Sequence, residues 1–301
     1  MSPQLENIIT QLKAKSALPK KIEVSSVSSY CFANMFDEAP TRIISESVSC
    51  GFDMNPDLAI LKGLSEFFEN RAFKEGFEKG IESCSTDRSD GFAAFPVSET
   101  VNYKVEARKN AFQEAIERLV WANWWDDSDV GFNLLSIDDI CLNHSQMKFV
   151  KNVKTQYGLE KILAVYPHFE SVGKESLIVL IGFFKDGGVV SGGACSDDSG
   201  SAVDRALSEL FRHTLAITRM RTGPTSASSF YEKRLEYFSS IAGQRMVESR
   251  MTQVGFKRIK LPTAKFDIEV PHSLSDLFYV HRFLFDDQPE FIGGKLERFC
   301  I

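Results

Sequence analysis

The stretch ARKNAFQEAIERLVWANWWDD (residues 107–127) has the spacing of a helix with an unusual placement of charge. Ala111 and Ala107 stand one and two turns before Glu114, while Glu117 and Arg118 follow at i+3 and i+4 on the same side. Phe112, Ile116 and Leu119 mark a separate bulky stripe, which predicts the side facing the core. Small residues mark where another backbone comes close. This helix therefore aims carboxylates along its close-packing face.

The pattern recurs. AILKGLSEFFENR from Ala59, ARKNAFQEAIERL from Ala107 and AVDRALSELFRHT from Ala202 superpose with Ala first, Gly or Ala fifth, Leu or Phe sixth and Glu eighth. The aligned acids are Glu66, Glu114 and Glu209, each two helical turns after its alanine and so on the small-residue stripe. Each helix follows a glycine-bearing polar segment: SVSCGFDMNPD, STDRSDGFAAFP and VVSGGACSDDSGS. The predicted unit is strand, glycine turn, helix, with Asp57, Ser201 and Asp204 as residues suited to helix starts. SLIVLIGFF, KILAVYP, FDIEV and FYVHRFLF read as strands, the last two separated by PHSLSD. The N-terminal MSPQLENIITQLKAKSALPKK reads as an amphipathic helix ending near Pro19. Three matches in one phase predict three similar units whose acids can converge.

With 301 residues the chain can bury a substantial core, and its 43% hydrophobic and 25% charged composition excludes disordered and collagen-like classes. The net charge of −6 gives no nucleic-acid footprint and suits a basic peptide or a metal-complexed anion. Cys31, Cys50, Cys84, Cys141, Cys195 and Cys300 form no C-x-x-C pair, so neither a zinc knuckle nor a redox motif is supported. The sequence has no signal-peptide core and no apolar run long enough for a bilayer, and the expected setting is a cytoplasmic one with free thiols. No linker cuts the chain. One domain is expected over 1–301, with an N-terminal helix and lead-in (1–40), three glutamate-helix motifs (41–220) and a C-terminal helix and strands (221–301).

Clustered glutamates are hard oxygen donors suited to Mg²⁺, which is commonly held by one or two carboxylates together with substrate phosphates. Without metal, the same groups repel and take up protons. Arg118, Arg71 and Arg212 occupy comparable places after the three acids and are available to a phosphate. Glycine turns before helices offer backbone N–H groups to an anion. Neither a P-loop nor a Rossmann fingerprint is present, so any ATP site is built without them.

The run SDGFAA followed by EARKNAFQEAIERLVWANWW resembles the central motif of the YcaO family. CGFDMNPDLAILKGLSEFFENR resembles that family's first E-x-x-E helix, SGGACSDDSGSAVDRALSELFRH its third glutamate helix, and LFYVHRFLFDDQPEF its late arginine-bearing strand. The resemblance runs from about Ser45 to Pro289. It implies an α+β, YcaO-like ATP-binding fold with ATP and Mg²⁺ as cofactors. It also implies phosphorylation of a peptide backbone amide on oxygen, followed by attack of a Cys, Ser or Thr side chain to give an azoline, or of an external sulfide to give a thioamide. By position, Glu66, Glu69, Glu114, Glu117 and Glu209 would be metal or phosphate ligands, with Arg118 and Arg282 on phosphate. A peptide or protein substrate, a partner subunit that delivers it and a possible homo-oligomer are implied, with no nucleic acid and no membrane.

The chain departs from the family pattern in placing Asn70 where Arg follows the second acid, Lys62 where Ser is usual, and GGKLERFCI where azoline-forming members often have a proline-rich tail. It is also short for the family and is expected to lack a fused leader-binding domain. These departures define a second reading, a catalytically idle scaffold or peptide-docking subunit. Elsewhere the plainer readings hold. Trp121, Trp124 and Trp125 fill core or interface; His144, His168, His213, His272 and His281 show no ligand spacing; Cys195 is a small buried thiol; and Asp126–Asp129 is a solvated helix end.

Overall fold

A computed structural model describes residues 1–37, 49–78, 90–98, 101–171, 173–222, 230–291 and 295–299. Of the residues read above, Ser45, residues 85–89, residues 223–229, Cys84 and Cys300 lie outside them. The chain packs as two compact units. The first comprises Met1–Cys84, Phe92–Ala111 and Asp267–Arg282; the second comprises Ser85–Gly91, Phe112–Phe266 and Phe283–Ile301.

The first unit opens with α1 (Pro3–Ala14), capped by the Ser2 side chain, with Pro3 in the first turn where its missing N–H costs nothing. Leu5, Ile8 and Leu12 bury one face of it. The helix ends at Ala14 rather than near Pro19, because Lys15 leaves helical geometry and Ser16 has φ 51°. β1 (Lys21–Val27), β2 (Tyr30–Phe36) and β3 (Ser49–Asp53) form an antiparallel sheet in that order. α2 (Pro56–Glu78) packs on it through Ala59, Leu64, Phe67 and Phe68, and Phe68 stacks on Phe278 at 4.4 Å. Fully burying each such aromatic contributes about 1.5–3 kcal/mol. A second sheet has the order β4-β10-β9, made of β4 (Gly91–Pro96), β9 (Ala264–Glu269) and β10 (Phe278–Phe285). It enters this unit through residues 92–96, 267–269 and 278–282.

The second unit is built on the antiparallel order β5-β6-β7-β8: β5 (Phe132–Ser136), β6 (Leu159–Pro167), β7 (Ser176–Phe184) and β8 (Val189–Ser196). β7 and β8 are buried almost end to end, which explains the continuous apolar character of β7 and the small residues of β8. Around the sheet lie the later part of α3 (Tyr103–Asp126), α4 (His144–Tyr157), α5 (Ser199–Thr222), α6 (Phe230–Phe238) and α7 (Ile241–Met251). Trp121 and Trp124 have no exposed surface, and Trp125 donates its ring N–H to the Glu297 carbonyl at 2.9 Å. The tryptophans are packing residues, as their sequence setting predicts.

The α+β class and the recurring strand–helix unit follow the sequence reading, but the glycines do not sit in the turns. Gly51 lies inside β3, Gly91 opens β4, and Gly192 and Gly193 lie inside β8. Gly51, Gly192 and Gly193 serve close approach. A side-chain carbon at Gly192 would collide with the backbone at Ala206 and Leu210, and one at Gly51 with the backbone at Ala59 and Gly63. The small-residue stripes of α2 and α5 are thus matched by glycine on β3 and β8. The helix starts also differ. Asn55 accepts from Asp57 N–H and Asp198 from Ser201 N–H (2.9 and 2.7 Å), so Asp57 and Ser201 fall within the first turn and Asp204 beyond it. The acids at the end of α3 are paired rather than merely solvated, Asp126 with Arg298 and Asp127 with Lys257.

Candidate functional site on an edge strand

Among the described residues β8 is the last strand of its sheet, so alternate backbone groups on its outer edge have no ladder partner there. Side chains supply them. Gly193 N–H donates to Glu209 Oε2 at 3.1 Å, and Cys195 N–H to Glu117 Oε2 at 3.2 Å. Arg205 donates to the Cys195 carbonyl at 3.2 Å, and His213 Nδ1–H to the Ser191 carbonyl at 2.7 Å. Arg205, Glu209 and His213 are four residues apart on α5, and their partners are two apart on β8. A helix rises about 6 Å in four residues and a strand about 6.8 Å in two, so the two periodicities run in step. α3 repeats the match: Gln113 reaches Asp197 at 3.3 Å, Glu117 takes Cys195 N–H, and the Trp121 ring fills the space over Gly193.

The first unit contains the same device. Cys50 N–H on β3 donates to Glu66 Oε2 at 3.1 Å across 16 residues, the same separation as Gly193 to Glu209. Lys62 donates to the Phe52 carbonyl at 3.2 Å across 10 residues, the same separation as Arg205 to Cys195. For α2 and α5 the sequence superposition is therefore a structural repeat. Carboxylates lie on the close-packing face because an open strand edge offers them N–H groups. Lys62 and Arg205 are part of it, and their place four residues before the aligned glutamates was the signal for them.

Within the second unit Glu114, Glu117 and Glu209 influence one another. Burial pushes the Glu117 carboxyl well above its usual range; Glu209 and Glu114 push the same way, against Arg205 and Arg118. Burial also raises Glu209, opposed chiefly by Arg212 and the Gly193 N–H. Arg118 is buried, pairs with Glu114, donates to the Asp90 carbonyl and lies 5.9 Å from the centre of the Phe291 ring. Burial holds His213 near 4, so it is neutral at pH 7, and because a carbonyl only accepts, the ring proton sits on Nδ1. Burial, then Glu117, raises the Cys195 thiol, which makes it an inert packing residue.

In the first unit, Glu66 and Glu69 lie half-buried on α2. Arg282 is 1% exposed, with its guanidinium 5.6 Å from the Phe92 ring centre. Arg71, read as available to phosphate, pairs with Glu75 at 3.3 Å. Among the described residues no three His, Cys, Asp or Glu side chains form a ready-made metal cage. The donor chemistry nevertheless fits a nucleotide-bound Mg²⁺, which needs only one or two protein carboxylates. Glu117 and Glu209 each engage one oxygen with a backbone N–H and leave Oε1 outside that bond, and Glu117 meets the repulsion of Glu209 and Glu114, which a cation would relieve.

No family model matches the sequence, and no curated protein matches it. Solved structures do. YcaO from Methanopyrus kandleri, bound with AMPPCP and Mg²⁺, superposes with a TM-score of 0.58 at 11% identity, covering 96% of this chain and 91% of that one. The E. coli microcin synthetase McbBCD complex gives a TM-score of 0.56 at 11% identity over 88% and 87%. The same complex with pro-MccB17 bound gives 0.58 at 11% identity over 89% and 87%. At this identity the likeness is one of architecture, and it bears out the sequence resemblance at that level: the chain has the YcaO fold.

Proposed function

We propose that the protein binds ATP with Mg²⁺ and activates a peptide backbone amide by phosphorylating its oxygen, leading to an azoline or a thioamide in a peptide-modification pathway. The observation that supports this reading is the pair of carboxylates Glu117, buried, and Glu209, half-buried, held on the alternate Gly193 and Cys195 N–H groups of one edge strand, with Glu209 and Glu114 raising the Glu117 carboxyl further. The nucleotide-bound neighbour of the same fold supports the choice of ATP and Mg²⁺. Bound metal would supply charge neutralisation to the phosphates. The chain's own contribution is positional. The N–H bonds fix the two carboxylates before any ligand arrives, so little reorganisation accompanies binding. Arg118, already tied to Glu114, orients that carboxylate and holds one cationic group beside the cluster.

In this reading Glu114, Glu117 and Glu209 of the second unit hold metal or phosphate and Arg118 faces phosphate; in the first unit, taken by itself, Glu66 and Glu69 are the candidate ligands and Arg282 the candidate phosphate contact. The substrate is a peptide or protein, delivered by a partner subunit; the bound pro-MccB17 of a structural neighbour supports a peptide. Titration calorimetry with ATP and Mg²⁺ tests the proposal. Saturable, Mg²⁺-dependent heat that disappears in Glu114→Ala is expected; silence from wild type, or an unaltered Glu114→Ala isotherm, removes it.

The catalytically idle, peptide-docking reading is favoured by one observation. Lys62, in the place of the usual Ser, is bound to Asp53 at 2.7 Å and to the Phe52 carbonyl, a structural employment for a position expected near the site. Peptide-stimulated ATP hydrolysis by the purified protein would exclude it.

A further inference from the structure

We propose that a groove beside α4 is a docking site for an extended peptide segment in which an apolar side chain is flanked by carboxylates. The groove has a volume of about 500 Å³, lies between residues 137–142 and α4, and is lined by Ile137, Leu142, Met147 and Val150 with Lys151 and Lys154 on its helical wall. None of these residues belongs to the carboxylate cluster, so the proposal stands whether or not nucleotide binds.

Charge selects the occupant. In a chain of net charge −6, α4 contains Lys148, Lys151 and Lys154 and no acid. A spacing of three places these lysines on successive turns of one side. Among the described residues none of them is paired with a carboxylate. The facing wall contributes Asp138, with Asp139 next to it, so the acids of an occupant belong on the α4 side. This local field is opposite to that of the chain as a whole.

Backbone geometry selects an extended form. The groove begins where β5 ends, and among the described residues β5 is the outer strand of its sheet, with Leu134 and Leu135 40% and 41% exposed. An edge of this kind accepts an added strand through main-chain hydrogen bonds, and alternate side chains of that strand then point to one face. An apolar side chain would displace water from Ile137, Leu142, Met147 and Val150 while neighbouring carboxylates meet Lys151 and Lys154.

Fluorescence anisotropy with two short labelled peptides tests the proposal, one alternating Leu with Glu and the other Leu with Lys. The glutamate peptide should bind at least about tenfold more tightly. The double variant Lys151→Glu/Lys154→Glu should reverse that preference while leaving the circular dichroism spectrum intact, since Lys151 is exposed and Lys154 only half-buried. Exposed Cys141 lines the groove, and its alkylation, followed by mass spectrometry, should slow several-fold when the glutamate peptide is bound. Equal affinity for the two peptides overturns the proposal, as does a double variant that keeps the glutamate preference. Salt-sensitive binding to phosphatidylserine vesicles without peptide binding would identify the lysines as a lipid contact instead. Self-association abolished by the double variant would give the face to a second copy, and either result overturns the peptide assignment.

Discussion

Substituting Gly192 by Ala tests the physical link between the glycines and the carboxylates. A methyl carbon at this position would lie 2.2 Å from Leu210 N and 2.4 Å from Ala206 O, both backbone atoms of α5. Restoring even a 3.0 Å approach requires the helix and strand to separate by about 0.8 Å. The hydrogen bonds on either side of Gly192 are 3.1 Å to Glu209 and 2.7 Å to His213, and a shift of about 0.8 Å stretches both beyond useful length. Overpacking costs about 1–3 kcal/mol, and loss of a charge-assisted bond about 1.5–3 kcal/mol. Gly192→Ala should therefore destabilise the second unit by about 3–6 kcal/mol. Equilibrium urea unfolding read by tryptophan fluorescence reports on this unit, because Trp121, Trp124 and Trp125 all belong to it. Gly200→Ala is the control: its added carbon meets only Asp198 Oδ2 at 3.5 Å, and the change should stay within about 1 kcal/mol. A Gly192→Ala protein as stable as the control would refute the close-approach argument.

Two further outcomes follow from the electrostatics. Folded-state carboxyls held above the unfolded value of 4.5 bind more protons than the unfolded chain, so their contribution is complete below that pH and declines as pH rises through the raised values. Without divalent cations, Glu117→Gln removes its share of that decline; the stability gap in favour of the variant should widen between pH 5 and 8, and a pH-independent gap contradicts the assignment. Cys195 has no exposed surface and a raised thiol, whereas Cys141 is exposed. Iodoacetamide should therefore modify Cys141 in the native protein and Cys195 only after denaturation, and rapid native labelling of Cys195 would show that its site is open.

Much of the fold was legible because three helices repeat one seven-residue interval, which ordinary amphipathicity does not require. β6 and β7 were visible as apolar runs of strand length, whereas the β8 segment read only as a polar, glycine-bearing approach to its helix. The glycines were recognised but assigned to turns, since a glycine that admits a helix backbone and one that permits a left-handed turn look alike in sequence. Asp57 and Ser201 were as suitable for capping as Asn55 and Asp198, and only backbone geometry separates them. The N–H partners of Glu66, Glu117 and Glu209 were not legible at all, because strand order decides which edge lies open. His213, without ligand spacing, proved to cap the same edge.

Manganese, used as a paramagnetic stand-in for Mg²⁺, addresses the carboxylate pair most directly. Electron paramagnetic resonance should show about one Mn²⁺ held per chain in the presence of AMPPCP, weakened at least tenfold in Glu117→Gln/Glu209→Gln, whose amide oxygens still accept from the β8 N–H groups. Retention of Mn²⁺ and AMPPCP by that variant at wild-type affinity would contradict the account.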